Sequence, residues 1–239
     1  MTGPSTAAMV LAAGFGQRLR PLTLTRPKPL VEVAGKALIE YGFDCLRAAG
    51  VKHAVVNVHY LPGQIEAWAG RQTSPAVTIS DERAELLDTG GGVAKALPLL
   101  GPEPFFVINS DSFWIEGPEP ALDRLRLAWD AAQMDCLLLL SPLKRTVGYD
   151  GAGDFMMMDD GRLRRRGQMA GMALVYSGAY LVHPRLFADA PPGKFSMNLL
   201  WDHAIARGRL FGLAHTGLWL HVGTPDTMAH AERALAEHH

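Results

Sequence analysis

The sequence predicts an α/β fold, a Rossmann-like three-layer sandwich around a mostly parallel mixed sheet. Apolar runs of strand length alternate with segments of helical periodicity through the first half of the chain. This β-α-β-α order is typical of parallel sheets with right-handed crossovers. Glycine-rich or acidic segments follow several of the predicted strands. Since open α/β sheets bind ligands at the carboxyl ends of their strands, we expect the functional site at that edge.

In the first half, helix 36–49 has the clearest pattern, and Gly50 ends it. One face of that helix carries Leu38, Ile39, Tyr41, Gly42, Cys45 and Leu46. The predicted strands are 8–12, 53–58, 77–80, 105–109 and 135–140, and the other helices are 61–69, 92–100 and 121–133.

The second half has more turn signals. Residues 150–153 form a turn cluster, and 155–158 followed by Asp159-Asp160-Gly161 predict a hairpin. The remaining predicted strands are 173–182, 210–214 and 218–222, and the predicted helices are 195–207 and 225–236. Thr224 is expected to cap the last helix, with Pro225 at its first position.

Composition predicts a globular, cytoplasmic protein. Of the 239 residues, 48% are hydrophobic and 20% are charged, and the formal net charge of −1 argues against a general nucleic-acid binder. No apolar run approaches the length of a membrane span, and residues 1–8 are too polar for a signal peptide. Cys45 and Cys136 stand alone in apolar surroundings, which indicates buried free thiols in a reducing compartment.

The most informative segment is the loop after the first strand, LAAGFGQRLRPLT at 11–23. Its small residues let main-chain N–H groups approach a polyphosphate, which Arg18 and Lys28 can neutralise. At about 4 Å and an effective dielectric near 20, each such contact is worth roughly 4 kcal/mol before desolvation. Pro27 and Pro29 flank Lys28. Because they stiffen the segment, we expect the lysine to face an open cleft.

This loop lacks the third glycine of a dinucleotide-binding fingerprint, where Leu19 stands, and the Gly-Lys-Ser/Thr of a Walker A loop. The pattern L-A-A-G-x-G-x-R-L-x-P-L-T followed by P-K-P-L resembles the signature of sugar-1-phosphate nucleotidylyltransferases. The resemblance implies a nucleotide-diphospho-sugar transferase type of fold and a single domain over 1–239. Its nucleotide-binding half would cover about 1–141 and its sugar-binding half about 142–239. The implied substrates are a nucleoside triphosphate and a sugar 1-phosphate, and the oligomeric state stays open.

Asn109-Ser110-Asp111 ends another predicted strand. A carboxylate suits Mg²⁺, which prefers oxygen ligands, although an aspartate here would equally suit a helix N-cap. The family has an N-x-D element at this point whose aspartate holds the metal. The resemblance therefore favours Asp111 as a Mg²⁺ ligand and Asn109 as a sugar contact.

A third segment, Leu87-Asp88-Thr89-Gly90-Gly91-Gly92, leads into a predicted helix. It is either a flexible turn or a junction whose amides bind the edge of a base. The acidic-Thr-Gly-Gly-Gly pattern resembles the family branch that makes UDP-N-acetylmuramic acid from UTP, which favours UTP. Gly153-Asp154-Phe155 also resembles that branch, in which the aspartate lies near the sugar, and equally suits a hairpin turn.

The chain departs from the family at two points. Residues 219–225 read WLHVGTP, whereas the family has W-x-D-V-G-T-P with its second metal ligand at the aspartate. Since imidazole suits Mn²⁺ better than Mg²⁺, His221 is expected to coordinate Mn²⁺, to bind a metal-bound water or to contact phosphate. The family's Glu-Lys-Pro grip on the sugar phosphate is absent. Nearby arginines favour a solvated hairpin face: Arg162, Arg164, Arg165 and Arg166.

The resemblance thus assigns catalytic roles to Arg18, Lys28 and Asp111, and metal binding to Asp111 and His221. The residues expected to bind nucleotide or sugar are Leu11, Ala12, Ala13, Gly14, Gly16, Thr89, Gly90, Asn109 and Asp154. Two other activities stay open, a mannose-1-phosphate guanylyltransferase and a non-catalytic sugar-nucleotide sensor that has lost a metal ligand. His238 and His239 are either native or a tag remnant and receive no role.

Overall fold

The computed structural model describes residues 6–167, 171 and 173–238, so His239 lies outside it. In chain order the strands are β1 (Ala7–Leu11), β2 (Glu32–Val33), β3 (Lys36–Ala37), β4 (His53–Val58), β5 (Ala76–Asp81), β6 (Phe105–Asn109), β7 (Ser112–Ile115), β8 (Cys136–Pro142), β9 (Thr146–Val147), β10 (Phe155–Met157), β11 (Leu163–Arg165), β12 (Leu174–Val182), β13 (Leu210–Ala214) and β14 (Leu218–His221). The helices are α1 (Leu38–Ala48), α2 (Pro62–Ala69), α3 (Asp88–Leu100), α4 (Ala121–Ala128), α5 (Met197–Ala206) and α6 (Pro225–Glu237).

Within the described residues, the main sheet has nine strands. Its long path runs β5-β4-β1-β6-β12-β8-β13, in which only β12 is antiparallel to its neighbours. The hairpin β10-β11 pairs with the first part of β12. Two small sheets, β7-β14-β9 and β2-β3, lie outside this path. The expected mostly parallel mixed sheet is confirmed.

Helices cover both faces of the sheet and complete the expected three layers. One buried cluster joins the sheet to α1, α2 and α4, through side chains such as Phe43 and Trp68. A second cluster joins it to α3 and α5, through Val93 and Trp201. A third lies around β7, β14 and α6. In α6, Thr224 caps the helix in a capping box and Pro225 occupies the first turn, as expected.

Several boundaries differ from the predictions. Helix α3 begins at Asp88 rather than at Gly92, so all three glycines at 90–92 lie inside it. Helix α4 ends at Ala128 instead of continuing to 133. The Asp130 side chain accepts a hydrogen bond from the Ala132 N–H at 2.9 Å, and its carbonyl accepts one from Met134, so a turn replaces the helix there. The strand β7 has no counterpart among the predicted elements.

Both cysteines are free thiols, and Cys136 is completely buried whereas Cys45 is partly exposed. Burial raises the pKa of both thiols, so neither is a thiolate at neutral pH. Among the residues described, no helix combines the length and apolarity that crossing a membrane requires.

Candidate active site

A cleft of about 380 Å³ opens at the carboxyl ends of β1 and β6. It lies where an open α/β sheet is expected to bind its ligand. The residues that line it come from the glycine loop, from the start of α3 and from the turn after β6. They are Leu11, Ala12, Ala13, Gly14, Lys28, Pro29, Asn57, Leu86, Asp88, Thr89, Asn109, Ser110, Asp111 and Lys194.

Buried hydrogen bonds hold the walls of this cleft together. The Ala12 N–H donates to Asn57 Oδ1 at 2.7 Å, and Asn57 Nδ2 donates to Glu82 Oε1 at 2.8 Å. Glu82 is fully buried, and its second oxygen accepts the Leu87 N–H at 3.0 Å. The chain of contacts therefore ties the glycine loop to β4, to β5 and to the start of α3. Buried polar groups linked in this way define one arrangement of the segments around them.

The turn between β6 and β7 carries Asp111, so this residue does not cap a helix. Its Oδ2 accepts a hydrogen bond from Lys28 Nζ at 2.9 Å, across 83 positions of sequence. The Lys28 side chain is only 11% exposed, whereas that of Asp111 is 35% exposed. The expectation that Lys28 faces the cleft agrees with its place among the lining residues, but most of its side chain is buried. The lysine lines the cleft, but the folded protein already pairs it with a carboxylate.

Gly16 allows this placement of Lys28. Its φ of +62° lies in the left-handed region, and a Cβ there would stand 2.8 Å from the Lys28 Cβ. The Gly16 carbonyl also accepts a hydrogen bond from the Thr23 hydroxyl at 2.8 Å. Gly16 does not line the cleft. Its lack of a side chain instead leaves room for the Lys28 side chain to pack against it.

Arg18 and His221 lie close to the Lys28–Asp111 pair without lining the cleft. Both flank Gly223, because a Cβ built there would stand 2.9 Å from His221 Nε2 and 3.3 Å from Arg18 Cζ. The four charged or polar side chains thus form one electrostatic cluster, defined by Arg18, Lys28, Asp111 and His221.

The cluster shifts two pKa values. Burial alone would raise the pKa of Asp111, but Lys28, with smaller contributions from His221 and Arg18, holds it below its ordinary value. Burial lowers the pKa of His221, Lys28 and Arg18 add to that shift, and Asp111 opposes it. At neutral pH the site therefore presents an ionised carboxylate beside a neutral imidazole.

These two side chains are also the candidate metal ligands. An ionised carboxylate and a neutral imidazole nitrogen are both competent donors. Within the described part of the chain, no group of three or more His, Cys, Asp or Glu side chains is placed to hold a metal. The residues fit a cation that brings most of its ligands with it, such as the phosphate oxygens of a nucleotide.

The glycines at 90–92 pack against other parts of the protein, whereas their sequence predicts main-chain amides that bind a base. The N–H groups of Gly90 and Gly91 both donate to the Phe195 carbonyl at 3.0 Å, so they do not face a ligand. A Cβ on Gly90 would lie 2.4 Å from the Phe195 ring, and one on Gly91 would lie 2.3 Å from the Gly193 carbonyl oxygen. The expectation that Gly90 binds the base is therefore not met. Thr89 does line the cleft, and its hydroxyl accepts the Met197 N–H at 2.9 Å.

Asp154 is likewise engaged inside the protein. Its Oδ2 accepts the Tyr176 N–H at 2.8 Å, which ties the start of β10 to β12, and it does not line the cleft. The arginines of the hairpin are mostly at the surface. Arg162 pairs with Asp160, and Arg165 pairs with Asp202 at 2.7 Å.

Sequence reasoning gave no binding role to six of the described residues that line the cleft, nor to Glu82 behind them. The six are Pro29, Asn57, Leu86, Asp88, Ser110 and Lys194. Asn57 interrupts the apolar run of β4, a signal that was available. Asp88 has a φ of +63°, which is uncommon for a non-glycine residue and marks strain beside the cleft. Lys194 is an exposed loop residue without a motif, and only the fold places it at the cleft.

Comparison with known proteins agrees with this architecture. Residues 7–149 match the model of the nucleotidyl transferase family. The chain is 48% identical over 236 residues to the N-acetylmuramate alpha-1-phosphate uridylyltransferase of Caulobacter vibrioides, covering 96% of this chain and 97% of that protein. It is 30% identical to the mannose-1-phosphate guanylyltransferase catalytic subunit beta of Danio rerio, covering 91% of this chain and 61% of that protein.

The fold also matches solved structures. A crystal structure of UDP-glucose pyrophosphorylase complexed with UDP-glucose superposes with a TM-score of 0.79 at 18% identity, over 98% of this chain and 99% of that chain. At that identity the likeness concerns the fold alone. The family match over 7–149 and the relative at 48% identity show the family as well as the fold. The chain belongs to the nucleotidyl transferase family.

Proposed function

We propose that this protein transfers the uridylyl group of UTP to N-acetylmuramic acid 1-phosphate and releases pyrophosphate. One observation carries the proposal: the glycine loop, Lys28 and Asp111 share a single cleft of about 380 Å³. The full-length relative at 48% identity supports the choice of base and sugar, because its name states that pair. Since UTP is a cytoplasmic metabolite, the cytoplasm is the expected location.

In the proposed reaction a phosphate oxygen of the sugar 1-phosphate attacks the α-phosphorus of UTP in line. The new P–O bond forms as the bond to the leaving pyrophosphate breaks. No general base is required, because a phosphate monoester is already anionic near neutral pH. The protein contributes positioning and charge neutralisation.

Each cation has a separate task in this proposal. Lys28 bridges phosphate oxygens around the α-phosphorus, and to do so it exchanges part of its contact with Asp111 for the substrate. Arg18, on the exposed rim of the cluster, neutralises the departing β,γ-phosphates. Residues 12–14 present small side chains and main chain to the nucleotide. Asn109, which lines the same cleft, contacts the sugar in this proposal.

Asp111 would hold a Mg²⁺ ion, with His221 beside it as the second candidate ligand. When bound, the ion supplies charge neutralisation and orientation of the phosphates. Mn²⁺ suits an imidazole nitrogen better than Mg²⁺ does. Asp111 also limits how far Lys28 can move, since the two are joined at 2.9 Å.

The alternative of a mannose-1-phosphate guanylyltransferase has less support, because the relative with that name is 30% identical rather than 48%. A non-catalytic sensor is disfavoured by the retained Arg18, Lys28 and Asp111 cluster. Pyrophosphate release, measured with UTP or GTP against a panel of sugar 1-phosphates, separates these activities. We expect UTP with N-acetylmuramic acid 1-phosphate to give the highest kcat/KM. A preference for GTP with mannose 1-phosphate, or no turnover with any pair, would refute the proposal.

A further inference from the structure

A second cavity of about 190 Å³ adjoins the main cleft. The two share Leu11, Asp88, Thr89 and Asn109, so a ligand in the cleft can extend a substituent between the start of α3 and the end of β6. At about 30 Å³ per water, a cavity of this size holds about six waters. It therefore has room for a small substituent of a sugar.

The far wall of the cavity is aromatic. Tyr176 and Tyr180 from β12 and Trp201 from α5 line it. Their rings are in mutual contact, with centroids 4.9 Å apart for Tyr176–Trp201 and 5.6 Å apart for Tyr180–Trp201. The wall is rigid because it belongs to the sheet and to a buried helix face.

Both tyrosine hydroxyls are buried and have no hydrogen-bond partner in the described part of the chain. A buried hydroxyl without a partner is costly, and a ligand that accepts a hydrogen bond from it removes that cost. Burial raises the pKa of both tyrosines well above the ordinary value, and the Asp111 carboxylate adds to the shift at Tyr176. Both hydroxyls thus keep their protons and are able to donate.

The other lining groups are neutral or acidic. Thr89, Ser196, Asn109 and Asn198 supply neutral polar side chains, and Asp88 is the charged residue among the described residues that line the cavity. A carboxylate placed here would be buried without a cation, which is strongly unfavourable. The cavity therefore favours a neutral acceptor with a small apolar end. A carboxylate would instead find Lys194 in the main cleft.

We propose that this cavity binds the acetamido group of the sugar 1-phosphate. The carbonyl oxygen of that group accepts hydrogen bonds from the hydroxyls of Tyr176 and Tyr180, and its methyl group packs against Trp201. This inference rests on the proposed function, and it adds the part of the sugar that is recognised and the residues that recognise it. A sugar with a plain hydroxyl at that carbon lacks both the carbonyl oxygen and the methyl group.

The test compares two ligands that differ only in this group, N-acetylglucosamine 1-phosphate and glucose 1-phosphate. Calorimetry gives the dissociation constant of each for the full-length protein, and kcat/KM with UTP is measured alongside. We expect the protein to bind the acetamido sugar at least about tenfold more tightly. Tyr176→Phe and Tyr180→Phe remove only the hydroxyls, so each should reduce this preference severalfold while binding of glucose 1-phosphate stays the same.

Tyr41→Phe is the matched control. The Tyr41 hydroxyl donates to the Val33 carbonyl at 2.7 Å, far from the cavity, so its loss should leave the preference unchanged. Equal affinity of the wild-type protein for the two sugars would overturn the inference, as would an unchanged preference in both cavity variants.

These outcomes are distinct from failure of the proposed function. A protein that turns over N-acetylmuramic acid 1-phosphate with UTP but keeps its preference in both variants contradicts only the acetamido assignment. A protein that loses its preference in the variants but does not accept UTP with N-acetylmuramic acid 1-phosphate contradicts only the proposed function.

Discussion

Two glycine-containing segments meet at the cleft, and they serve opposite purposes. A Cβ built on Gly14, in the loop after β1, meets no atom within 4 Å, so this glycine faces open space. At the start of α3, a Cβ on Gly90, Gly91 or Gly92 would lie between 2.3 and 2.8 Å from its nearest neighbour. The first segment leaves room for a ligand, whereas the second leaves room for the protein itself.

The difference matters because the two segments look alike in sequence. Small residues permit a close approach of main chain, but the sequence does not say to what. Gly90 and Gly91 approach 193–195, where the Phe195 carbonyl accepts both of their N–H groups, and Gly92 approaches Glu82 and Asn57. The contact with Phe195 anchors the segment before α5, and α5 in turn carries Trp201 into the second cavity. The triple glycine therefore acts on the site through packing.

The unfolding free energy is the quantity that best separates the packing role of the triple glycine from the ligand-facing role of Gly14. Gly91→Ala places a methyl group against the Gly193 carbonyl, and overpacking of this kind costs about 2–3 kcal/mol of unfolding free energy. Gly14→Ala meets no neighbour, so its unfolding free energy should be unchanged while kcat/KM falls at least about tenfold. Chemical denaturation and pyrophosphate release measure the two quantities.

Gly63→Ala in α2 is the matched control, because it also meets no neighbour and lies far from the cleft. It should preserve both stability and turnover. If Gly91→Ala is as stable as Gly63→Ala, the packing role of the triple glycine is wrong.

The second prediction concerns Lys28. Lys28→Met keeps the length of the side chain but removes a charge that acts on the transition state, so turnover should fall about a hundredfold, or about 3 kcal/mol. Because Lys28 is paired with Asp111, stability at neutral pH should also fall, by about 1–2 kcal/mol. A variant with near-normal turnover would show that Lys28 does not act on the phosphates.

The pH dependence of the stability loss in Lys28→Met shows whether the loss comes from the ion pair with Asp111 or from packing. Lys28 holds the pKa of Asp111 below the ordinary value of 3.8, although burial opposes this shift. A group with a depressed folded pKa stabilises the protein above its unfolded pKa, and that stabilisation is lost as pH falls through the folded value. The stability difference between wild type and Lys28→Met should therefore be full above about pH 5 and shrink below about pH 4. A difference that does not change with pH would assign the loss to packing.

Much of the fold was predictable from local patterns. The limits of β4, β6 and β13 agree with the predicted strands 53–58, 105–109 and 210–214, because a buried strand is a short apolar run between turn residues. The end of α4 was not predictable from periodicity. The apolar pattern continues past Ala128, but the hydrogen bonds of the Asp130 turn compete with the helix.

At the site, the sequence indicated which residues matter more reliably than what they contact. Lys28 and Asp111 were both predicted as site residues, and they lie in one cleft. Lys28 and Asp111 come together because β1 and β6 are neighbours in the sheet. A local sequence pattern does not show which strands are neighbours. The same holds for the Asn57–Glu82 contact and for the tyrosine hydroxyls of the second cavity.

The smallest expected effect is at His221, which, like the loop after β1, is expected to act on the ligand rather than on packing. His221→Asp adds a second carboxylate beside Asp111, and carboxylate oxygen is a better Mg²⁺ ligand than imidazole nitrogen. Lys28 and Arg18 lie close enough to offset the added negative charge. The Mg²⁺ concentration for half-maximal turnover should fall about threefold, and any advantage of Mn²⁺ should shrink.

His221→Asn separates ligand type from charge, and it should leave the Mg²⁺ requirement higher than in His221→Asp. If His221→Asp raises the Mg²⁺ requirement, His221 does not lie beside the metal.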